Sequence, residues 1–214
     1  MQAHGGDEDD DLGALRYGRP TNELPVPVPV SVVLARTDDV AVALVGVQAY
    51  TSGIAFTLSV RIRHSRVLPG RRDLHELVGG WSARTEGRLL LGVEFSDGRA
   101  ASTAGVGRSP APGSGLGQAL LVPAGGGGGE LSVDHDYWLT PVPPPGPLDV
   151  VLACAGLGIE ETTVQLDGDA LVQAAARAEV LWPPAEADGP DEPEEPDLPD
   201  GGWFGGLRDL DDPG

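Results

Sequence analysis

The sequence predicts a mainly β fold, an antiparallel β-sandwich of about nine strands with one C-terminal packing helix and disordered acidic tails. Three observations predict it. Apolar residues recur with period two in successive short runs. Clusters of Gly, Pro, Ser and Asp separate these runs at the spacing of a sandwich. A helical period occurs as a sustained run only near residue 170. The folded unit is expected over 21–184, between an acidic segment 1–20 and an acidic, proline-rich tail 185–214.

The first strand signal is LPVPVPVSVVL, where Val26, Val28, Val30 and Val32 alternate with Pro25, Pro27 and Pro29. Proline cannot donate to a ladder, so the segment belongs at a sheet edge with its valines inward. VAVALVGVQAY follows as a nearly continuous apolar run and predicts a buried strand. In IAFTLSVRIR, the residues Ile54, Phe56, Leu58, Val60 and Ile62 share one face, and Thr57, Ser59, Arg61 and Arg63 share the other. It is the clearest half-buried strand in the chain.

Asp73–Val78 predicts a short helical turn ending at Gly79-Gly80. RLLLGVEF and RAASTAGV flank Ser96-Asp97-Gly98, an Asp-Gly hairpin signal. Ser109–Gly117 predicts a loop, and GQALLVPA a short strand running into a flexible tip of five glycines, Gly125–Gly129. ELSVDHDYWL, PLDVVLACAG and ETTVQL predict three further strands, the first two joined by Pro143-Pro144-Pro145-Gly146. The closing helix is expected from Asp169 as N-cap through Leu171, Ala175, Ala178 and Trp182 to the stop at Pro183-Pro184.

Composition excludes several classes of function. The chain of 214 residues carries a net charge of −19 at pH 7, about two thirds of it in the two tails. Such acidity offers no positive surface to nucleic acid or to an anionic membrane. All 14 basic residues are Arg, which removes Schiff-base lysines, the P-loop lysine and the Ser/Lys dyad. The single cysteine, Cys154, closes no intrachain disulfide. No apolar leader follows the N-terminus and no apolar run reaches membrane-spanning length, so the expected compartment is the cytoplasm.

The strings NELPVPVPVSVVLART, AVALVGVQAYTSGIAFTLSVRIR, LGVEFSDGR, WLTPVPPPGPLDVV and ALVQAAARAEVLWP together resemble a family of uncharacterised proteins from high-GC actinobacteria. The resemblance covers most of residues 21–183 and departs from the family at CAGLGI, around Cys154. It implies a bacterial, cytoplasmic, β-rich domain and carries no activity or site.

Candidate chemistry is sparse. Asp134-His135-Asp136 suggests a metal site, but in a strand the aspartates point to one face and the histidine to the other. His75-Glu76 lacks a second histidine four residues on, where Gly79 stands. Ser114 in PGSGLG lacks the strand-to-helix context of a nucleophile elbow. Cys154 sits in an apolar strand as a small core residue. The acid pairs Glu160-Glu161 and Asp167/Asp169 fit a turn and a helix start. No catalytic residue, cofactor or metal is expected.

Two binding features remain. Arg61, Arg63, Arg66, Arg71 and Arg72 gather near His64, either as a solvated face or as a docking site for an anion or acidic peptide. In the tail, Trp203, Phe204, Leu207 and Leu210 are apolar anchors among aspartates, the composition of a short docking motif whose charges steer and whose aromatics are buried. The sequence therefore points to a non-catalytic binding or adaptor protein with a protein partner taken through the tail. Its alternatives are a small-molecule-binding β-domain or hydrolase built around Asp136, Tyr137 and Trp138, and a structural subunit of an assembly.

Overall fold

A computed structural model describes residues 18–68, 70, 73–79, 87–104 and 117–183. The tail segments 1–17 and 184–214, and most of the Ser109–Gly117 loop, lie outside the described residues. The rest is mainly β, as expected, with every strand pairing antiparallel. One sheet of six strands contains β2 (Val26–Pro27), β3 (Val32–Arg36), β4 (Val40–Ala49), β5 (Ile54–Ile62), β8 (Leu120–Gly129) and β9 (Ser132–Thr140). Its path runs β2-β4-β5-β9-β8, with β3 also paired to β4. A second sheet orders β11 (Ile159–Asp167), β10 (Pro147–Cys154), β6 (Leu90–Phe95) and β7 (Ala100–Ser102). A separate ribbon pairs β1 (Glu23–Leu24) with β12 (Glu179–Val180).

The two large sheets share one core, the arrangement of a sandwich. Leu44, Leu58 and Val60 from the first sheet and Leu91, Val150 and Leu152 from the second are buried in the same cluster. Removing one such side chain from water contributes about 1.5–3 kcal/mol. The alternation read from Ile54–Ile62 is present in full: the five apolar residues are buried, while Arg61 opposite them is exposed. Val28 is buried and Val26, Val30 and Val32 pack against the core, as the period-two pattern requires.

The valine-proline segment nevertheless differs from one continuous strand. It divides into β1, β2 and β3, because each proline removes a ladder donor. This division, with the β1–β12 ribbon, raises the strand count from about nine to 12 among the described residues. The Asp97-Gly98 turn is found: Phe95 N–H donates to the carbonyl of Arg99 at 2.8 Å, and Gly98 takes a φ of 84°, which favours glycine.

The short helix α1 spans Leu74–Val78, with the carboxylate of Asp73 accepting from the N–H of His75 as its cap. The closing helix α2 is shorter than its sequence period. It spans Gly168–Ala175, its N-cap is Asp167 rather than Asp169, and Trp182 is exposed beyond it. Tertiary pairing overrides the local pattern: Glu179 and Val180 pair with Leu24 and Glu23, so the chain is extended where a helix was expected.

Candidate binding groove

The glycine run is not a hairpin tip. Gly125–Gly129 belong to β8 and pair residue for residue with β9, Gly126 opposite His135 and Gly128 opposite Val133, and the turn falls at Glu130-Leu131. Close approach of the two backbones is the reason for glycine here. A Cβ at Gly126 would meet the carbonyl of Asp134 at 2.5 Å, and one at Gly128 would collide with the carbonyl of Ser132. At Gly127 and Gly129 such a Cβ has no described atom within 4 Å.

Helix α1 lies against the β8–β9 hairpin. Between them runs a groove with a chamber of about 550 Å³ bordered by Leu68, Asp73, His75 and Gly128–Glu130. A second chamber, about 470 Å³, is bordered by Asp73, His75, Glu76, Gly125, Gly126 and His135. The two chambers share Asp73 and His75 in their walls. His135 forms part of the wall, on the core side of β9, and is only 2% exposed. Burial pushes its pKa down, and proximity to His75 adds to this, while the carbonyls of Asp136 and Gly79 oppose it. Among the described residues its Nδ1 has no hydrogen-bond partner.

The strand alternation read for Asp134-His135-Asp136 is observed. Asp134 and Asp136 leave β9 on the face opposite His135: Asp134 takes the guanidinium of Arg61, and Asp136 accepts from the Thr57 hydroxyl at 2.6 Å. No cluster of three or more metal-ligating side chains occurs among the described residues. Cys154 is fully buried, donates to the Gly87 carbonyl at 3.4 Å, and has its pKa raised by burial. These surroundings are those of a packing thiol.

Asp136, Tyr137 and Trp138 do not converge on one pocket, because consecutive strand residues alternate faces. Tyr137 enters the main core and stacks on Phe56 at 5.6 Å, and its phenol is pushed up to about 12 by burial, with Arg88 opposing. Trp138 joins a separate cluster with Tyr50 and Ala55.

The arginines are only partly available. Arg61 makes a two-pronged contact with Asp134, at 2.7 and 3.1 Å. Arg63 stands 3.9 Å from Asp39, which also faces His64 at 3.4 Å. Arg66 is exposed in a single 3₁₀ turn, Ser65–Val67. Arg71 and Arg72 lie outside the described residues, as do Trp203, Phe204, Leu207 and Leu210.

Sequence reasoning missed the β1–β12 ribbon. Leu24 and Val180 on it, and Leu181 and Trp182 just after it, are between 45% and 56% exposed. Asn22 fixes its end, donating from Nδ2 to the Trp182 carbonyl at 2.8 Å and accepting from the Leu181 N–H at 2.8 Å. Among the described residues no helix is long and apolar enough to cross a membrane. No family model, no curated protein and no solved structure matches this chain.

Proposed function

We propose that the chain is a non-catalytic protein-binding module that takes its partner where the β1–β12 ribbon meets the C-terminal segment. The observation that supports this is the exposure of Leu24 and Val180 on a two-stranded ribbon and of Leu181 and Trp182 just after it. Exposed apolar side chains grouped on a short stretch commonly mark interaction sites, and tryptophan is among the residue types enriched at their energetic centres. The segment that leaves this ribbon carries Trp203, Phe204, Leu207 and Leu210 among aspartates. Ribbon and tail together supply two apolar patches on one stretch of chain, with negative charge to steer the encounter. The sequence resemblance to uncharacterised high-GC actinobacterial proteins supports a bacterial cytoplasm as the proposed setting.

Co-purification from a high-GC actinobacterial host tests the reading, with the full chain, Trp182→Ser and a chain ending at Pro184 compared by mass spectrometry. One protein retained by the full chain and lost from both altered forms is the expected result. A partner retained equally by all three overturns it.

A further inference from the structure

Helix α1 packs over His135, and the site beneath it makes no provision for a second proton. His135 is 2% exposed on the core side of β9, and its Nδ1 is buried with no hydrogen-bond partner among the described residues. A neutral imidazole carries one N–H, whereas the protonated ring carries two and a charge. While α1 stays in place, Nδ1–H would then be a donor with no acceptor in a site closed to water, a costly arrangement. The carbonyls of Asp136 and Gly79 favour the charged ring, but burial outweighs them. The other groups around His135 do not reverse this. α1 presents His75, a like charge when protonated, and the exposed carboxylates of Asp73 and Glu76 border the same chamber. β9 itself contributes the Tyr137 ring at 5.0 Å, whose phenol burial keeps neutral, and Asp136, which leaves on the opposite face and accepts from Thr57. β8 contributes only Gly125 and Gly126, and β5 places Leu58 in register with His135.

We infer that α1 is an acid-released flap: protonation of His135 lifts it from the β8–β9 hairpin and uncovers Leu74, Leu77 and Val78. The element suits the role. It is five residues long, belongs to no sheet ladder, and is held by those three side chains, each at most 1% exposed, and by the Leu89 N–H, which donates to the Leu77 carbonyl at 2.8 Å. Short elements outside the ladders open at lower cost than the strands beneath them. The sign follows from linkage. With α1 lifted, His135 is an ordinary imidazole and takes its proton more readily than with α1 closed, so the closed form has its full advantage above pH 6.5 and loses up to about tenfold per pH unit below it.

Native-state hydrogen exchange of the full chain, read by NMR at pH 7 and pH 5 and corrected for intrinsic rates, tests this. The amides of Gly79, bonded to the His75 carbonyl, and of Leu89 report on α1, and those of Leu44 and Leu58 on the β4–β5 ladder. On acidification, protection at Gly79 and Leu89 should fall at least about fivefold more than at Leu44 and Leu58. His135→Phe, which keeps a ring and cannot titrate, should remove that difference, and His135→Gln serves if the phenylalanine variant fails to fold. His75→Gln should retain most of it, because burial is the larger influence on His135. Protection that is independent of pH, that falls equally in both regions, or that still falls selectively in the His135 variants overturns the inference. Loss of the effect in His75→Gln overturns it too, by moving the trigger to the exposed histidine. The ribbon proposal is untouched by any of these outcomes, because Trp182 and the tail take no part.

Discussion

The guanidinium of Arg99 folds back onto the carboxylate of Asp97, two residues earlier, with Nη2 2.8 Å and Nε 2.9 Å from Oδ2. Arg99 is 5% exposed, lies 5.1 Å from the centre of the Phe95 ring, and also donates from Nη1 to the Gly117 carbonyl at 3.0 Å. One buried cation therefore ties the β6–β7 turn to the chain that enters β8.

Removing the anion strands that cation. Asp97→Asn should destabilise the fold by about 1.5–3 kcal/mol, the range for a hydrogen bond to a charged group, read as a shift in the urea midpoint at constant slope. The Arg99 contact holds the Asp97 pKa below its ordinary 3.8. A depressed carboxylate contributes stability that is complete above pH 3.8 and is lost as pH falls through the folded-state value. The Asp97→Asn deficit should accordingly be constant near neutrality and shrink below about pH 4. A deficit independent of pH down to 2 would refute the pairing.

The glycine strand makes a positional prediction. A Cβ at Gly128 collides with the Ser132 carbonyl and comes within 2.7 Å of the Val133 Cα, whereas one at Gly127 meets nothing within 4 Å. Gly128→Ala should therefore cost about 1–3 kcal/mol through forced separation of β8 from β9. Gly127→Ala should be neutral or slightly stabilising, because it lowers the entropy of the unfolded chain. Equal thermal shifts for the two would show that the run is not held in this register.

His135 predicts an acid limb of its own. Burial beneath α1 lowers its pKa from the ordinary 6.5, so the unfolded chain binds its proton more readily than the folded one. For a depressed histidine the stability is full above pH 6.5 and falls as pH drops below it. His135→Phe keeps the ring, removes the titration, and should flatten the profile between pH 6.5 and 5. The check is a series of urea titrations across that range, and an unchanged slope in the variant would assign the limb elsewhere.

What the residues disclosed in advance follows from where the information sits. Ile54–Ile62 was legible because one face is buried and its alternation is written locally, and the Asp97-Gly98 turn because its backbone requirement is met by the residues themselves. The glycine run was illegible: glycine has no side chain to alternate, so its pairing with β9 leaves no pattern. The premature end of α2 was hidden too, since Trp182 and Asn22 are joined across 160 residues. The groove depends on α1 covering His135, a contact between segments that carry no shared motif.

The ribbon and tail make the last prediction. Val180, Leu181 and Trp182 contribute nothing to the buried core, which is assembled from the two large sheets, α1 and α2. Trp203→Ala with Phe204→Ala should therefore leave the melting temperature unchanged, as should Trp182→Ser, while Leu152→Ala, at a fully buried site, costs about 2–5 kcal/mol. Partner capture should show the reverse order, lost in the tail and ribbon variants and preserved in Leu152→Ala below its melting point. Calorimetry paired with quantitative capture on these proteins separates surface from core. A tail variant that melts early would place Trp203 and Phe204 against their own domain, and would move the interaction from a partner protein to the chain itself.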